Sequence, residues 1–255
     1  VFSRNILADR ERRLELMELL RESVERGFAG FSIHYQPQAD TLSGRLCGAE
    51  ALARWHCGKY GDVSPGEFIP LMEQSGLIVP FGQWILSHGM AQCLEWRRSR
   101  PDFQISVNLS YIQLSQGDFI SFLRTALEEN SLDPSRLIME LTETYLAKAE
   151  EDTLRLIAQM KELGVKIAMD DFGVGYSSLF SLKSIPVDVV KIDRRFVKGI
   201  TSEPFNATFI RSITDLCHDV GRKVCLEGVE TKEEYEAVRE LGMEYIQGYY
   251  FGRPM

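Results

Sequence analysis

Two adjacent carboxylates, Asp170 and Asp171, stand where an apolar run of strand type ends and a glycine-containing loop begins. The run is Val165-Lys-Ile-Ala-Met, and Gly173 and Gly175 follow the two acids within four residues. Neighbouring Asp side chains at the end of a buried strand repel each other, and a divalent cation with oxygen ligands is the usual compensation. The simpler alternative is a polar turn that caps the next helix. The two acids alone do not decide between a metal site and a turn.

Residues of similar chemistry recur along the chain. Nearly every predicted strand carries a carboxylate, an amide or an amine at or near its carboxyl end. These residues are Gln36, Glu50, Asn108, Glu140, Asp170 with Asp171, Lys191, Glu227 and Gln247. In a parallel barrel the carboxyl ends of the strands converge on one face, which is where barrel enzymes hold their active sites. Each residue by itself could simply be the polar end of its own strand, but five carboxylates at one rim repel strongly and therefore predict bound cations.

The types of ligand indicate the class of metal. Carboxylate and amide oxygens without paired His or Cys favour the hard cations Mg²⁺, Mn²⁺ or Ca²⁺. Five acids exceed the need of one octahedral ion, so the simplest hypothesis is a two-metal site in which Asp170 bridges the ions. Such pairs of ions are common in enzymes that hydrolyse phosphodiesters. In that site Arg54 could clamp a phosphate, and Lys191 could orient or activate the attacking water.

The predicted elements alternate in the order that a barrel requires. Eight strand candidates lie at 31–37, 45–55, 104–110, 137–143, 165–169, 187–193, 223–230 and 245–251. Helices are predicted over 10–26, from Pro65, and over 81–98, 114–130, 149–163, 178–182, 205–219 and 232–241. The first two strands are adjacent and helices separate the others, which favours a largely parallel sheet. Eight units in about 250 residues predict an α/β fold of the closed (β/α)₈, TIM-like barrel type.

Composition and charge exclude several classes of partner. The chain has 255 residues and a net charge of −8, which argues against binding a DNA or RNA polymer or a membrane surface. Its five cysteines form no C-x-x-C pair, which favours a reducing, cytoplasmic compartment over a disulfide framework. No apolar run approaches the about 18 residues of a membrane span, so we expect no direct membrane insertion of this segment.

We predict that the N-terminal 26 residues form a connector helix region. Residues 10–26 place Leu14, Met17, Leu20 and Val24 at helical spacing among Arg and Glu residues. The helix could pack on the outside of the domain, could transmit signals from an upstream domain, or could do both. Because the chain opens with Val1, we interpret it as a segment of a longer protein whose other regions could tether it to a membrane.

Several short motifs follow one another along the chain in a fixed order. They are Tyr35–Pro37, Gly48–Trp55, Ser106–Ser110, Met139–Glu143, Asp170–Leu179, Lys191–Asp193, Glu227–Thr231 and Gln247–Tyr249. Together they resemble the EAL-domain family, phosphodiesterases specific for the bacterial second messenger cyclic di-GMP. The resemblance covers about residues 12–255 and assigns 27–255 to the phosphodiesterase domain and 1–26 to the connector.

The resemblance implies a barrel with an antiparallel first strand, hydrolysis of cyclic di-GMP to linear pGpG, dependence on two Mg²⁺ or Mn²⁺ ions, and inhibition by Ca²⁺. It also implies a homodimer and an upstream sensory or GGDEF-type domain.

The resemblance also implies a role for each matching residue. By position, the metal ligands are Glu50, Asn108, Glu140 and Asp170, with Asp171 at the second metal. Lys191 matches the residue at the catalytic water, and Glu227 matches a general base or metal-site partner. The substrate-binding residues are Gln36, Arg54 and Gln247, and the loop anchor or supporting residues are Glu143, Glu230 and Asp193. Glu143 would anchor the loop 171–178, which couples the site to dimerisation in this family.

Two residues depart from the family pattern. Val174 stands where Thr or Ala is usual, and Leu226 adds volume directly before Glu227. Neither change removes a ligand, so they bear on rate and regulation. The alternative function is a catalytically silent module that binds cyclic di-GMP or a protein partner, but such modules typically lack site acids and this chain has the full set.

Overall fold

A computed structural model describes residues 2–115, 118–174, 182–183 and 185–255 of the chain. The predicted short helix at 178–182 and the second half of the loop 171–178 fall mainly outside these residues. Hydrophobic side chains between the strands and the surrounding helices form one continuous core. No helix in the described part combines the length and the apolar composition needed to cross a membrane.

Nine strands form one sheet in the described part of the chain. They are β1 (Phe31–Asp40), β2 (Leu46–Cys57), β3 (Gly61–Val63), β4 (Gln104–Asn108), β5 (Leu137–Thr142), β6 (Lys166–Phe172), β7 (Val189–Ile192), β8 (Lys223–Glu227) and β9 (Tyr245–Gln247). Eight of them close a ring in the order β1-β9-β8-β7-β6-β5-β4-β2, because β1 also pairs with β2. The short strand β3 was not predicted and pairs only with the end of β2. The barrel predicted from the alternation of elements is therefore confirmed.

The first strand runs against its neighbours. β1 is antiparallel to both β2 and β9, whereas the pairs from β2 through β4 to β9 are parallel. This confirms the orientation that the family resemblance implied. Since β1 and β2 are joined by a hairpin, they need no helical crossover. The strands β2 and β4–β9 consequently direct their carboxyl ends to one face.

Helices surround the barrel. They are α1 (Phe2–Glu25), α2 (Pro65–Ser75), α3 (Ile78–Arg97), α4 (Tyr111–Ser115), α5 (Phe119–Asn130), α6 (Glu143–Leu146), α7 (Glu151–Glu162), α8 (Pro204–Asp219) and α9 (Lys232–Val238). The single helix predicted over 114–130 was wrong, because α4 ends at Ser115 and α5 begins at Phe119. Asp118 is the N-cap of α5, a position that Asp favours over a helix interior.

The N-terminal helix α1 packs on the outside of the barrel domain. From residue 10 onward, where its side chains are described, Leu16 and Leu20 are buried, whereas Leu14, one of the apolar residues at helical spacing, is 56% exposed. Arg12 contributes an ion pair to Glu67 of α2 at 2.6 Å. The apolar spacing thus predicted a docked helix correctly but assigned part of its buried face wrongly.

Candidate active site

The strand registers bring the predicted polar residues to one level of the barrel. Asn108 at the end of β4 pairs in register with Glu140 of β5. On the other side of the ring, Glu227 of β8 pairs with Gln247 of β9. Gln36 of β1 lies opposite Glu50 of β2. These residues therefore face one another across the interior of the barrel because their strands are in register.

Lys191 lies at the centre of the cluster and is almost completely buried. Four carboxylates from four different strands surround its ammonium group. The distances from Lys191 Nζ are 2.6 Å to Glu140 Oε2, 2.8 Å to Glu227 Oε1, 3.2 Å to Asp170 Oδ1 and 3.3 Å to Glu50 Oε2. The structure thus confirms that the strand-end acids converge, and it places the one predicted lysine among them.

The shared lysine and the burial shift the titration of these groups. Burial alone would lower the pKa of Lys191, but the carboxylates of Asp170 and its neighbours outweigh burial and hold that pKa well above the ordinary value. Burial alone would raise the pKa of Glu50, yet Lys191, Gln247 and Asn108 keep it below the ordinary value. For Glu140, burial and the Glu50 charge raise the pKa well above the ordinary value. The acids around Lys191 therefore differ in how readily they lose their protons.

Two further acids of the site, Glu227 and Asp171, also have raised pKa values. Burial raises the pKa of Glu227 to about 7, although Lys191 opposes the shift. Burial and the adjacent Asp170 also raise the pKa of Asp171. Burial is the main cause of both shifts, and the negative charge of neighbouring carboxylates adds to it.

Side-chain amides hold the Glu50 carboxylate from two sides. Asn108 Nδ2 donates a hydrogen bond to Glu50 Oε1 at 2.8 Å. Gln247 Nε2 donates to Glu50 Oε2 at 2.7 Å and to Gln36 Oε1 at 3.2 Å. The predicted residues Gln36, Glu50, Asn108 and Gln247 thus form one hydrogen-bonded set.

A local irregularity in β6 lets two consecutive acids serve one site. In a regular strand, neighbouring side chains point to opposite faces of the sheet. The pairing of β6 with β7 shifts register between Met169 and Phe172, and Asp171 has a φ of 58°. As a result, one oxygen each of Asp170, Asp171 and Glu227 lie within 4.8 Å of one another. Asp170 belongs to this group and also to the cluster around Lys191.

The donor set fits divalent cations. Glu140 Oε1 is buried and accepts no hydrogen bond from the described residues, whereas the buried Asp170 Oδ1 has the Lys191 ammonium as an ion-pair partner at 3.2 Å. A buried carboxylate oxygen without a partner is costly, and a cation is one of the usual ways to satisfy it. Four carboxylates surround the Lys191 ammonium group, Asp171 lies beside Asp170 and Glu227, and Asn108 contacts Glu50. Carboxylate and amide oxygens are the ligands that Mg²⁺ and Mn²⁺ prefer.

The loop after Asp171 is fixed from two sides. Gly173 N donates to Glu143 Oε2 at 3.0 Å, so Glu143 contacts the loop that it was predicted to anchor. Gly173 has a φ of 94°, and a Cβ built there would lie 2.5 Å from the ring of Phe196. Phe196 was not among the predicted site residues, because an apolar residue after Asp193 gives no chemical signal in the sequence.

Three predicted residues lie apart from the central cluster. Arg54 is four residues beyond Glu50 on the same face of β2, and its guanidinium donates to the Ala53 carbonyl at 2.8 Å. Asp193 accepts hydrogen bonds from Arg195 rather than from a site residue. Glu230 is exposed, and its amide donates to Glu234. Their predicted roles as substrate-binding or supporting residues stay predictions.

The two departures from the family pattern differ in their surroundings. Leu226 is completely buried on the outer side of β8, where it pairs in register with Ile192 and Ile246. Because adjacent strand residues face opposite ways, its extra volume does not crowd Glu227. Val174 is 45% exposed, so it lies at the surface of the loop rather than in the cluster.

Known proteins resemble this chain over its full length. The EAL domain family matches residues 17–254. The bifunctional diguanylate cyclase/cyclic di-GMP phosphodiesterase MucR of Pseudomonas aeruginosa is 37% identical over 255 residues, which are 100% of this chain and 37% of MucR. The cyclic di-GMP phosphodiesterase PdeR of Escherichia coli is 35% identical over 223 residues, covering 88% of this chain and 34% of PdeR. The chain therefore spans little more than a third of the length of these relatives.

A solved structure shares both fold and sequence with the chain. It is the PaMucR phosphodiesterase in complex with c-di-GMP, with a TM-score of 0.86 and 38% identity. The match covers 94% of this chain and 97% of that one. The barrel described above is therefore the fold of that phosphodiesterase.

Proposed function

The chain belongs to the EAL domain family, and we propose that it is a phosphodiesterase that hydrolyses cyclic di-GMP to linear pGpG with Mg²⁺ or Mn²⁺. The observation that supports this most strongly is the convergence of a complete acid set around Lys191 at the carboxyl ends of the strands. Relatives with the same domain bear the name cyclic di-GMP phosphodiesterase. The alternative of a silent binding module is less well supported, because none of the predicted site acids is missing.

In this proposal Glu50, Asn108, Glu140, Asp170 and Asp171 would hold the cations, and Asp170 would be shared between the two sites. When bound, two divalent ions neutralise the charge that develops on a phosphodiester and increase the acidity of water. A buried Glu140 oxygen without a hydrogen-bond partner among the described residues supports this ligand set.

Lys191 and Glu227 are the proposed catalytic residues. Their side chains form an ion pair at 2.8 Å at the end of neighbouring strands. A water beside this pair would be oriented by the Lys191 ammonium and would lose its proton to a Glu227 oxygen. The proton would pass along a hydrogen bond from the water oxygen to the Glu227 oxygen, and hydrogen-bond distance is the usual reach of a general base.

Gln36, Gln247 and Arg54 are the proposed contacts for the substrate. Gln36 and Gln247 are hydrogen-bonded to each other at the edge of the cluster. Arg54 lies four residues beyond Glu50 on β2, which corresponds to about 13 Å at the rise of a strand. A guanidinium at this distance from the acids suits an anionic phosphate. The substrate would then extend from the acids outward along β2.

The reaction is tested by incubating the purified chain with cyclic di-GMP and separating the nucleotides by chromatography. We expect pGpG with Mg²⁺ or Mn²⁺ and none with EDTA. We also expect none with Ca²⁺, which prefers longer bonds and more ligands. If cyclic di-GMP binds in calorimetry but stays intact with Mg²⁺ and with Mn²⁺, the silent-module alternative is right and the catalytic proposal is wrong.

We further propose that the chain forms a homodimer and acts in the cytoplasm. In the full-length protein it would follow an upstream sensory or GGDEF-type domain. MucR, in which the similar segment is 37% of the length, is bifunctional by name and so supports a second domain. The five free thiols fit a reducing compartment. Analytical ultracentrifugation of this chain tests the dimer, and a monomer at all concentrations with full activity would contradict it.

A further inference from the structure

A buried glutamine outside the predicted site contacts the hydrogen-bonded set at Glu50. Gln38 lies on β1 two residues after Gln36, so the two side chains leave the same face of the strand. Gln38 Nε2 donates a hydrogen bond to Gln247 Oε1 at 2.9 Å. Gln38 and Gln247 are both buried, at 7% and 4% exposure. A chain of contacts therefore runs from Gln38 through Gln247 to Glu50.

The chemistry of the partners defines which way the Gln247 amide must face. An ionised carboxylate only accepts hydrogen bonds, so Glu50 requires the NH₂ side of Gln247. Gln247 uses its two N–H groups on Glu50 Oε2 and Gln36 Oε1. Its carbonyl oxygen then needs a donor, and Gln38 Nε2 is that donor. If the amide turned over, its carbonyl oxygen would face the Glu50 carboxylate, which is repulsive.

The backbone around Gln38 leaves room for this arrangement. Gly48 lies opposite Gln38 across β1 and β2. A Cβ built at Gly48 would lie 3.0 Å from Gln38 Oε1 and 3.1 Å from the Gln104 carbonyl oxygen. The glycine two residues before Glu50 thus gives Gln38 space to reach Gln247.

We propose that Gln38 is a positioning residue that fixes the amide orientation of Gln247 and, through it, the Glu50 carboxylate as a metal ligand. This inference rests on the metal site of the proposed function. Residues behind a metal ligand orient it, and losing them typically costs about 10- to 100-fold in metal affinity or activity. Gln38 would act on the metal only through Gln247, since its side chain donates to Gln247 and not to a proposed ligand.

The test is a double-mutant cycle read out as Mn²⁺ affinity in calorimetry, without substrate. Gln38→Met keeps the size of the side chain and removes its donor, and we expect Mn²⁺ to bind about 10-fold more weakly. In a Gln247→Met background the same substitution should change the affinity less than about twofold, because the partner is already absent. Gln104→Met is the matched control: Gln104 pairs with Gly48 on its other side, and we expect wild-type affinity.

Thermal unfolding in EDTA shows whether each variant folds. If Gln38→Met does not fold, Gln38→Asn, whose shorter side chain cannot reach Gln247, replaces it with the same expected loss. An unchanged Mn²⁺ affinity in a folded Gln38 variant would overturn the proposal, as would an equal loss in both backgrounds. Because the readout needs no turnover, a chain that binds Mn²⁺ as expected yet leaves cyclic di-GMP intact would refute the proposed function and not this inference.

Discussion

Replacing Lys191 by Met should destabilise the metal-free protein far more than the metal-loaded one. Lys191 Nζ lies 2.6–3.3 Å from four carboxylates, and its side chain is 2% exposed. Methionine fills a similar volume but carries no charge. The substitution therefore removes the positive charge from the cluster while the carboxylates stay buried.

The size of the effect follows from the contacts. One pair of unit charges at about 4 Å attracts by about 4 kcal/mol at an effective dielectric constant of about 20. Burial and the mutual repulsion of the acids offset much of this attraction, and removing one partner of a buried ion pair typically costs about 3–5 kcal/mol. The raised pKa values of Glu140 and Glu227 mean that these acids can take up protons, so we expect the lower end, about 3 kcal/mol. In a chain of this size that lowers Tm by roughly 6–12 °C.

The assay is thermal or urea unfolding of wild type and Lys191→Met, first in EDTA and then with excess Mn²⁺. Divalent ions supply the missing positive charge, so Mn²⁺ should stabilise the variant more than the wild type. Lys232→Met is the matched control, because Lys232 forms an exposed ion pair with Glu236 and should show no measurable change in either buffer. A Lys191→Met protein as stable as wild type in EDTA would refute the idea that Lys191 compensates the acids.

Substitutions at three further positions test other parts of the site. Glu227→Gln should lower kcat by at least about 100-fold while the affinity for cyclic di-GMP, measured by calorimetry, changes much less; near-normal turnover would mean that another group accepts the proton. Glu143→Ala removes the acceptor of Gly173 N and should weaken Mn²⁺ binding and activity together, and a loss of neither would show that the loop needs no anchor. Asp171→Gly should be more stable in EDTA than Asp171→Ala by about 1 kcal/mol, since only the glycine relieves the positive φ, while both should bind Mn²⁺ more weakly than wild type. Equal stability of these two variants would argue that the backbone at this position is unstrained.

The sequence predicted the ring of acids because their chemistry is conspicuous and their spacing follows the strands. Glu50, Asn108, Glu140 and Lys191 each end or interrupt an apolar strand, and the parallel order then requires that they meet. Counting the strands did not reveal the antiparallel β1, although the short, helix-free connection between the first two strands leaves no room for a parallel crossover. That orientation came only from the resemblance to the family.

Residues that act through packing or through another side chain were missed. Phe196 lies against Gly173, although the two residues are distant in the sequence. The residues that flank Phe196 do not distinguish it from an ordinary core residue. Gln38 repeats the polar type of Gln36 at the period of a strand, a signal that was present in the sequence but is also common on solvated strands. Its role depends on Gln247, which lies 209 residues away, so only the fold relates the two.

The adjacent acids of β6 show why a site of this type needs an irregular strand. In an extended strand Asp171 would point away from the barrel interior, and only Asp170 could reach the cluster. The register shift before Phe172 returns the strand to the core, with Phe172 buried, while leaving Asp171 in a left-handed conformation. A residue in such a conformation costs about 1–3 kcal/mol, and a bulge beside a site typically re-aims a side chain in this way. The strain, the raised pKa of Asp171 and its approach to Asp170 all oppose folding of the metal-free site. Cations held by these carboxylates would offset the repulsion between Asp170 and Asp171, so we expect Mn²⁺ to stabilise the protein.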